Sequence, residues 1–395
     1  MSVTPPYISE TDQSSDYKSC FQTTPEYSYT TPVRKHSPKG WPTPVFYSLN
    51  RCTLTTKREW RKRQSRYDYF PNGALSTPTP VRSARNDLKL VRSAPTVQNR
   101  ETSFKKLYPE PIYLCDDYQE EAGENFIYTS PIYQPTSDLS FFEQVYTIKS
   151  KLGEGSFGRV YHVTCNEDGR DYAMKTSLYE FRSKTDREDA LDEVRKMLRV
   201  PYHPNILRLY RAWTQEGKVY MQLDLCRTSL QEVSNVESPI PEPRLWRHFV
   251  DILCGLEHLH KHGFIHLDVK PSNILITDTG TCKLGDFGLM FDVNNDTRMR
   301  GEGDSKYLAR EILNELPTCG ADIFSLGMTV LELAADAYLP SDGYDWNILR
   351  SGIIPDVFRI RLSINMSEII TQMIQCDKND RPTARELLEQ IKRMI

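Results

Sequence analysis

The stretch from residue 266 to residue 288 constrains this chain more than any other. It reads His-Leu-Asp-Val-Lys-Pro-Ser-Asn at 266–273 and Asp-Phe-Gly at 286–288. This spacing is typical of a phosphoryl-transfer site that uses ATP. Asp268 would accept the proton of a substrate hydroxyl, and Lys270 would counter γ-phosphate charge. Asn273 and Asp286 would bind Mg²⁺. The alternative is a polar loop between two strands, without chemical meaning.

A glycine-rich stretch follows a predicted strand over residues 146–152. Its sequence, Gly-Glu-Gly-Ser-Phe-Gly at 153–158, lets the backbone turn tightly and bring its N–H groups over phosphates. A dinucleotide site needs a helix next, but residues 160–163 continue as a strand, so we predict a β-hairpin lid. The residues predicted to contact the nucleotide are Leu152, Gly153, Glu154, Gly155, Ser156, Phe157, Gly158 and Val160, then Lys175 in the third strand, and Asp224 and Cys226 after strand 219–223.

Lys175 and Glu193 are predicted to form an ion pair. Lys175 ends the predicted third strand, from which its ammonium reaches the α- and β-phosphates. Glu193 lies beside the apolar stripe of a predicted helix over 189–198. The pair forms only when this helix is docked, so it doubles as a switch.

The second half of the chain is predicted to be mostly helical. Apolar residues recur at three- and four-residue steps over 245–259, which predicts a buried helix leading to His266. A second apolar helix over 323–335 follows Asp322, whose carboxylate is placed to hold the catalytic-loop backbone. Thr383 begins a capping-box pattern and a final amphipathic helix.

Residues 1–138 differ in composition from the remainder. They hold 15 of the 25 prolines and 12 of the 22 tyrosines, with little helical or strand periodicity. Such a segment buries too little apolar area to offset its ordering entropy, so we predict a disordered tail. Ser/Thr-Pro pairs recur in it, two of them as Thr-Pro-Val-Arg at 31–34 and 79–82. These pairs suit regulatory phosphorylation, although composition alone would also produce some of them.

The charge of the chain is uneven. Residues 1–107 carry 18 Lys+Arg and 8 Asp+Glu, which is +10, and the total of −3 leaves −13 for the remainder. The basic run at 57–66 suits a nuclear address, a membrane-surface patch, a nucleic-acid contact or a solvated cluster. Because no nucleic-acid module surrounds it, we predict no nucleic-acid partner.

Cysteine and hydropathy patterns exclude other classes of protein. The nine cysteines include no C-x-x-C pair and no His/Cys cluster, so we expect neither zinc nor disulfides and a reducing compartment. The N-terminus lacks the apolar region of a signal peptide. No apolar run approaches the roughly 18 residues of a membrane-spanning helix. We expect a soluble, monomeric chain without a transmembrane segment.

The glycine loop, Lys175, Glu193, the 266–288 stretch and Glu311 stand in the order and spacing of protein kinases, which the chain resembles over residues 146–395. This resemblance implies a bilobal α+β fold. A small antiparallel β-sheet lobe with one helix would lie over a larger, mostly helical lobe. The disordered tail would precede both.

The chain further resembles the Wee/Myt family, the inhibitory kinases of the mitotic cyclin-dependent kinase. The segments that carry this resemblance are 140–144, 266–271, 283–289, 302–309, 325–329 and 339–346. Residues 142–144, 225–226 and 266–269 are similar to its membrane-associated tyrosine- and threonine-specific branch. The resemblance implies ATP and Mg²⁺ as cofactors and a cyclin-dependent kinase/cyclin complex as substrate. The acceptors would be the adjacent Thr and Tyr of that kinase's glycine-rich loop.

The same resemblance implies a location and a feedback. The location would be cytoplasmic, peripheral on endoplasmic reticulum or Golgi membranes, with the nucleus as the alternative. Members of that branch have an anchor and a cyclin-docking tail beyond the kinase domain, and this sequence stops at Ile395, so we expect no stable attachment. The cyclin-dependent kinase would phosphorylate Thr31 and Thr79 in return.

Two residues, Leu267 and Arg310, depart from the usual kinase pattern, and Lys270 fits that pattern but not the acceptors of the family. Leu267 replaces an arginine that usually meets a phosphorylated activation segment, so we predict activity without that phosphorylation. Arg310 replaces a proline, while Glu311 is retained to form a structural pair with Arg381. Lys270, two residues after Asp268, is typical of serine/threonine kinases, whereas the family phosphorylates tyrosine and threonine.

Two alternatives stay open from the sequence. A general serine/threonine kinase with other substrates shares every catalytic residue. A pseudokinase scaffold would lack at least one of Lys175, Asp268, Asn273 and Asp286, and all four are present.

Overall fold

A computed structural model gives the fold of residues 54–59, 61–62, 112–114, 130–155, 158–181 and 183–394. Its strands are β1 (Thr55–Thr56), β2 (Ile112–Tyr113), β3 (Tyr146–Gly155), β4 (Gly158–Cys165), β5 (Asp171–Thr176), β6 (Leu209–Gln215), β7 (Lys218–Leu223), β8 (Thr228–Ser229), β9 (Phe264–Ile265), β10 (Ile274–Ile276), β11 (Cys282–Leu284), β12 (Phe291–Asp292) and β13 (Ala337–Tyr338). Its helices are α1 (Phe141–Val145), α2 (Lys184–Arg199), α3 (Leu230–Val236), α4 (Glu242–Lys261), α5 (Cys319–Ala335), α6 (Gly343–Arg350), α7 (Asp356–Arg359), α8 (Ile364–Met373) and α9 (Ala384–Met394). Turns of 3₁₀ helix occur at Pro271–Asn273, Arg310–Leu313 and Lys378–Asp380.

An antiparallel sheet forms the upper lobe. Its strand order is β2-β6-β7-β5-β4-β3, so the β3–β4 hairpin with the glycine-rich loop lies at one edge. Gly158 is required there, because a Cβ would collide with the Thr176 carbonyl oxygen. Helix α2 contacts β6 and β7 and buries the predicted apolar stripe, including Leu191 and Val194. The predicted strands, hairpin and helix are all present.

Helix α1 precedes the sheet and was not predicted. Ser140 caps it: its hydroxyl accepts from the Glu143 N–H, and the Glu143 carboxylate accepts from the Ser140 N–H. Phe141 packs edge-on against Trp213, with ring centroids 5.0 Å apart. Five residues are too few to show a helical period, so the capping box was the available signal.

Helices α4 and α5 form the centre of the lower lobe. Helix α4 buries its predicted apolar face and ends just before β9 and the catalytic loop. Helix α5 is buried along nearly its whole length, and α8 packs against it. Helix α9 begins at the predicted capping box, in which Glu386 N–H donates to the Thr383 hydroxyl. The bilobal α+β fold is therefore confirmed.

A buried ion pair joins the end of the activation segment, here residues 286–311, to the loop before α9. Arg381 binds Glu311 through two nitrogens, and the Nη2–Oε2 distance is 3.0 Å. The two side chains are only 1% and 9% exposed. Arg381 also donates to the Gln375 and Gly320 carbonyl oxygens. The predicted structural pair is thus present in bidentate geometry.

Parts of the predicted disordered tail are ordered. Strand β1 pairs with β13, β2 pairs with β6, and residues 130–140 lead into α1. The prediction of disorder over 1–138 does not hold for these residues, and the rest of that range lies outside the described residues. Each ordered piece is too short to show periodicity in the sequence. None of these pieces has a core of its own, so contacts with the rest of the domain stabilise them.

We expect Arg381→Met to lower the free energy of unfolding by about 3–5 kcal/mol, because the buried Glu311 carboxylate loses its cation. Urea denaturation followed by circular dichroism measures the change. Arg385→Met is the matched control, since that side chain is 76% exposed, and it should cost less than about 1 kcal/mol. Equal, small losses in the two variants would contradict a structural role for the pair.

Candidate active site

A cavity of about 420 Å³ is lined by residues of both lobes. The β3–β4 hairpin, α2, the connection after β7 and the loop around residues 272–275 surround it. Every described residue predicted to contact the nucleotide lines this cavity except Glu154. A Cβ at Gly153 or Gly155 would meet no atom within 4 Å, so open space borders the hairpin where phosphates need room.

Three predicted loop residues are not placed in the cavity. The Glu154 carboxylate accepts hydrogen bonds from Lys151 and, at 2.9 Å, from Arg159. These two contacts lower its carboxyl pKa. Ser156 and Phe157 lie outside the described residues, so their contact with the nucleotide stays a prediction.

The connection after β7 places Asp224 and Cys226 at the cavity. The Asp224 N–H donates to the Arg208 carbonyl oxygen at 3.1 Å, and its carboxylate lies 3.0 Å from Lys283 Nζ. Its carbonyl oxygen, together with the Cys226 N–H, is therefore the pair of backbone groups suited to adenine. Burial raises the pKa of the Cys226 thiol to about 11, so this side chain is a neutral part of the wall.

Lys175 stands between two carboxylates at the inner end of the cavity. Its Nζ lies 2.6 Å from Glu193 Oε1 and 3.2 Å from Asp286 Oδ1. Burial by itself would lower the lysine pKa, but the charges of Glu193 and Asp286 outweigh it and raise the pKa. The ammonium is therefore held charged and fixed in position. The predicted ion pair is present, with α2 docked.

The catalytic loop brings Asp268, Lys270 and Asn273 within hydrogen-bonding distance of one another. Lys270 Nζ lies 2.8 Å from Asp268 Oδ2. Asn273 Nδ2 donates to the same carboxylate oxygen at 2.7 Å and to the Asp268 carbonyl oxygen at 2.9 Å. These contacts orient the carboxylate. Because Asp268 engages the amide nitrogen of Asn273, the amide oxygen is the atom suited to a cation.

A fully buried carboxylate supports this loop. Asp322 accepts hydrogen bonds from the N–H groups of His266 and Leu267, each at 2.8 Å, and contacts His260 Nε2 at 2.8 Å. Burial would lower the His260 pKa, but Asp322 raises it to about 9. The sequence predicted the role of Asp322 and missed His260, because a histidine in the last turn of a helix resembles a surface residue.

Two residues of the site adopt left-handed backbone. The φ angles are 64° at Leu267 and 60° at Asp286, a conformation that costs a non-glycine residue energy. At Asp286 this turn directs the carboxylate to Lys175, while the following Phe287 is buried against His266 with ring centroids 5.2 Å apart. Leu267 is itself buried, at 7% exposure.

A chain of ion pairs joins α2 to the activation segment. Arg300 lies 3.0 Å from Asp192, which lies 2.8 Å from Lys196. Lys196, 4% exposed, also lies 2.5 Å from Asp296. Alternating charges therefore hold the helix that carries Glu193 against the activation segment. Asp192 and Lys196 are four residues apart on α2, but their partners Arg300 and Asp296 are about 100 residues away. Sequence reasoning missed this network, because pairs at that separation leave no local pattern.

The donor set fits Mg²⁺ bound together with nucleotide phosphates. Asn273 and Asp286 line the cavity and offer an amide and a carboxylate oxygen. Mg²⁺ prefers oxygen ligands and commonly takes one or two from protein and the rest from phosphates and water. With Lys175 beside them, these residues fit ATP and its metal ion.

A cleft between two lobes with these groups in it is the site of a protein kinase. The protein kinase domain family matches residues 146–391, which is more than half of the chain. The chain therefore belongs to the protein kinase family and is an enzyme of that class. A protein kinase domain implies the use of ATP, typically with Mg²⁺.

Similar proteins indicate a smaller group within the protein kinase family. The membrane-associated tyrosine- and threonine-specific cdc2-inhibitory kinase wee-1.3 of Caenorhabditis elegans is 43% identical over 262 residues, covering 66% of this chain and 38% of the relative. The membrane-associated tyrosine- and threonine-specific cdc2-inhibitory kinase of Drosophila melanogaster is 45% identical over 259 residues, covering 65% of this chain and 49% of the relative. The mitosis inhibitor protein kinase wee1 of Schizosaccharomyces pombe is 31% identical over 345 residues, covering 85% and 37%. The predicted resemblance to the Wee/Myt family is confirmed, and the chain spans less than half the length of these three relatives.

We expect the free energy of unfolding to fall as pH rises from about 7 to 10, and His260→Asn to flatten this fall. The folded pKa of His260 is about 9, above its ordinary 6.5. Its contribution is therefore complete below pH 6.5 and is lost as pH rises through 9. Urea denaturation across this range tests the effect, and parallel curves for wild type and variant would contradict it.

We expect Ser305→Ala to keep kcat/KM within about twofold of wild type and Arg300→Met to lower it about fivefold. Leu267 cannot bind a phosphate, so we expect the activation segment to depend on the Arg300 contacts instead. Steady-state kinetics with a protein acceptor measures both variants. Arg298→Met, an exposed neighbour, is the control for Arg300. A fall of Ser305→Ala to the level of Asp268→Asn is the contrary result.

Proposed function

We propose that this chain transfers the γ-phosphate of ATP to the adjacent threonine and tyrosine in the glycine-rich loop of the mitotic cyclin-dependent kinase bound to cyclin. Phosphates on that loop would disturb ATP alignment in the target and delay entry into M phase. The observation that carries the transfer step is the contact of Asp268 with both Lys270 and Asn273 beside the cavity. The choice of target is supported by relatives described as cdc2-inhibitory kinases.

The carboxylate of Asp268 takes the proton in this reaction. As the acceptor oxygen bonds to the γ-phosphorus, the bond from that phosphorus to the β–γ bridging oxygen breaks, and ADP departs. Asp268 receives the hydroxyl proton at the same stage. Lys270 and Asn273 hold its carboxylate in one orientation, so the base needs no rearrangement during the reaction.

Positive charge balances the phosphates. Lys175, kept protonated by Glu193 and Asp286, would contact the α- and β-phosphates. Mg²⁺ held by Asn273 and Asp286 would neutralise charge on the transferring group. The backbone of the β3–β4 hairpin would cover the phosphates and exclude water.

The acceptor type is the point at which local sequence and relatives differ. The Asp268–Lys270 spacing is typical of serine/threonine kinases, whereas two of the relatives are described as tyrosine- and threonine-specific. We assign both Thr and Tyr to this chain, because similarity over 262 residues outweighs one spacing. A general serine/threonine kinase with other substrates is the second candidate.

The test is an in vitro reaction of the full chain with ATP, Mg²⁺ and a kinase-dead cyclin-dependent kinase bound to cyclin, with acceptor sites mapped by mass spectrometry. We expect label on the adjacent Thr and Tyr, and at least about a 100-fold loss with Asp268→Asn. Label at other sites only would favour the general kinase. No label on any protein, including a generic acceptor, would favour a scaffold.

We also propose a cytoplasmic location at the surface of endoplasmic reticulum or Golgi membranes, with the nucleus as the alternative. Relatives are described as membrane-associated. Within the described ranges, none of the helices combines the length and apolarity needed to cross a bilayer. The predicted phosphorylation of Thr31 and Thr79 concerns residues outside those ranges and stays a prediction.

A further inference from the structure

Residues 54–59, here called the docking segment, bind the lower lobe although they precede the kinase domain by about 90 residues. Thr55 pairs with Tyr338 and Thr56 with Ala337, in antiparallel register. Both threonines are almost fully buried, at 4% and 1% exposure. The segment is therefore a packed part of this lobe.

Lys57 forms the polar centre of the contact. Its Nζ lies 2.7 Å from Glu332 Oε1 and donates to the Ser234 hydroxyl at 2.9 Å. Its backbone N–H donates to the Asp336 carbonyl oxygen at 2.7 Å. Lys57 is 8% exposed, so this first residue of the basic run is a buried ion-pair partner and not a solvated charge.

Glu332, which binds Lys57, also contacts the activation segment. Its second carboxylate oxygen accepts a hydrogen bond from the Tyr307 hydroxyl at 2.5 Å. Burial, and then the charge of Glu332, raise the pKa of Tyr307, so the phenol stays a neutral donor. Because Glu332 is 6% exposed, its charge depends on Lys57 for compensation.

The stretch around Tyr307 borders the catalytic base. A Cβ at Gly303 would lie 2.6 Å from the Leu267 carbonyl oxygen and 3.7 Å from Asp268 Oδ1. Lys306 lies over the ring of Tyr338, 5.7 Å from its centroid, and Tyr338 is one of the two residues that pair with the docking segment. Two separate contacts thus connect this segment to residues 303–308.

We propose that Lys57 is a positioning residue for phosphoryl transfer, which acts through Glu332 and Tyr307 to fix residues 303–308 beside Asp268. A protein acceptor would pass this stretch to reach the base, whereas ATP would bind in the cavity lined by the β3–β4 hairpin. Lys57 therefore governs transfer to protein and leaves ATP affinity unchanged. The working enzyme includes the docking segment as well as residues 146–391.

The test compares full-length Lys57→Met with Arg61→Met, an exposed cation a few residues away. We expect Lys57→Met to lower kcat for the acceptor about tenfold and to change KM for ATP less than about twofold. Amide hydrogen exchange should accelerate at 303–308 and not in α2. Arg61→Met should match wild type. A kcat within twofold of wild type, or faster exchange throughout the domain, overturns the proposal.

A double-mutant cycle tests whether Lys57 acts through Tyr307. In a Tyr307→Phe background the hydroxyl contact is already lost, so Lys57→Met should lower kcat by less than about twofold more. An undiminished tenfold loss there overturns the route through Tyr307. The acceptor is the kinase-dead complex used above, or a generic protein acceptor if wild type does not label the complex. Failure to label the complex counts against the proposed target alone, because hydrogen exchange needs no acceptor.

Discussion

The Lys175 ammonium between Glu193 and Asp286 is the contact on which the rest of the structure depends. It joins strand β5, helix α2 and the loop after β11 at one point. A buried charge is stable only when it is paired, so each of these elements is favourable in its position only when the other two are in theirs. The shape of the cavity follows from this mutual requirement. The ion pairs from Lys196 and Arg300 then hold the far side of α2.

The lower lobe uses buried charge for a different purpose. Asp322 holds two consecutive backbone N–H groups of the catalytic loop, and Arg381 binds Glu311 at the end of the activation segment. Both anchors belong to, or lie next to, regular helices, while the groups they hold are in the catalytic loop and in a short 3₁₀ turn. The loops that carry chemistry are thereby fixed to about the precision of the helical core.

Much of this was predictable from sequence, for local reasons. Asp268, Lys270 and Asn273 lie within six residues, so their spacing alone brings them together. Helical periodicity identified α2, α4 and α5, and the apolar stripe of α2 singled out Glu193. The rest required tertiary structure. His260 meets Asp322 across 62 residues, and Lys57 meets Glu332 across a far greater separation, so no local pattern marks either pair. Strands β1 and β2 have two residues each, below the length at which alternation is visible.

Leucine at position 267 changes what can control this enzyme. An arginine there would make the activation segment a sensor, whose order depends on a phosphate added by another protein. With Leu267 buried, the counter-charges of that segment are supplied by Asp189 and Asp192, which are present from synthesis. We therefore expect its resting condition to be set at translation rather than by a signalling event. On that expectation, restraint comes from outside the catalytic centre, through the amount, the location or the occupancy of the molecule.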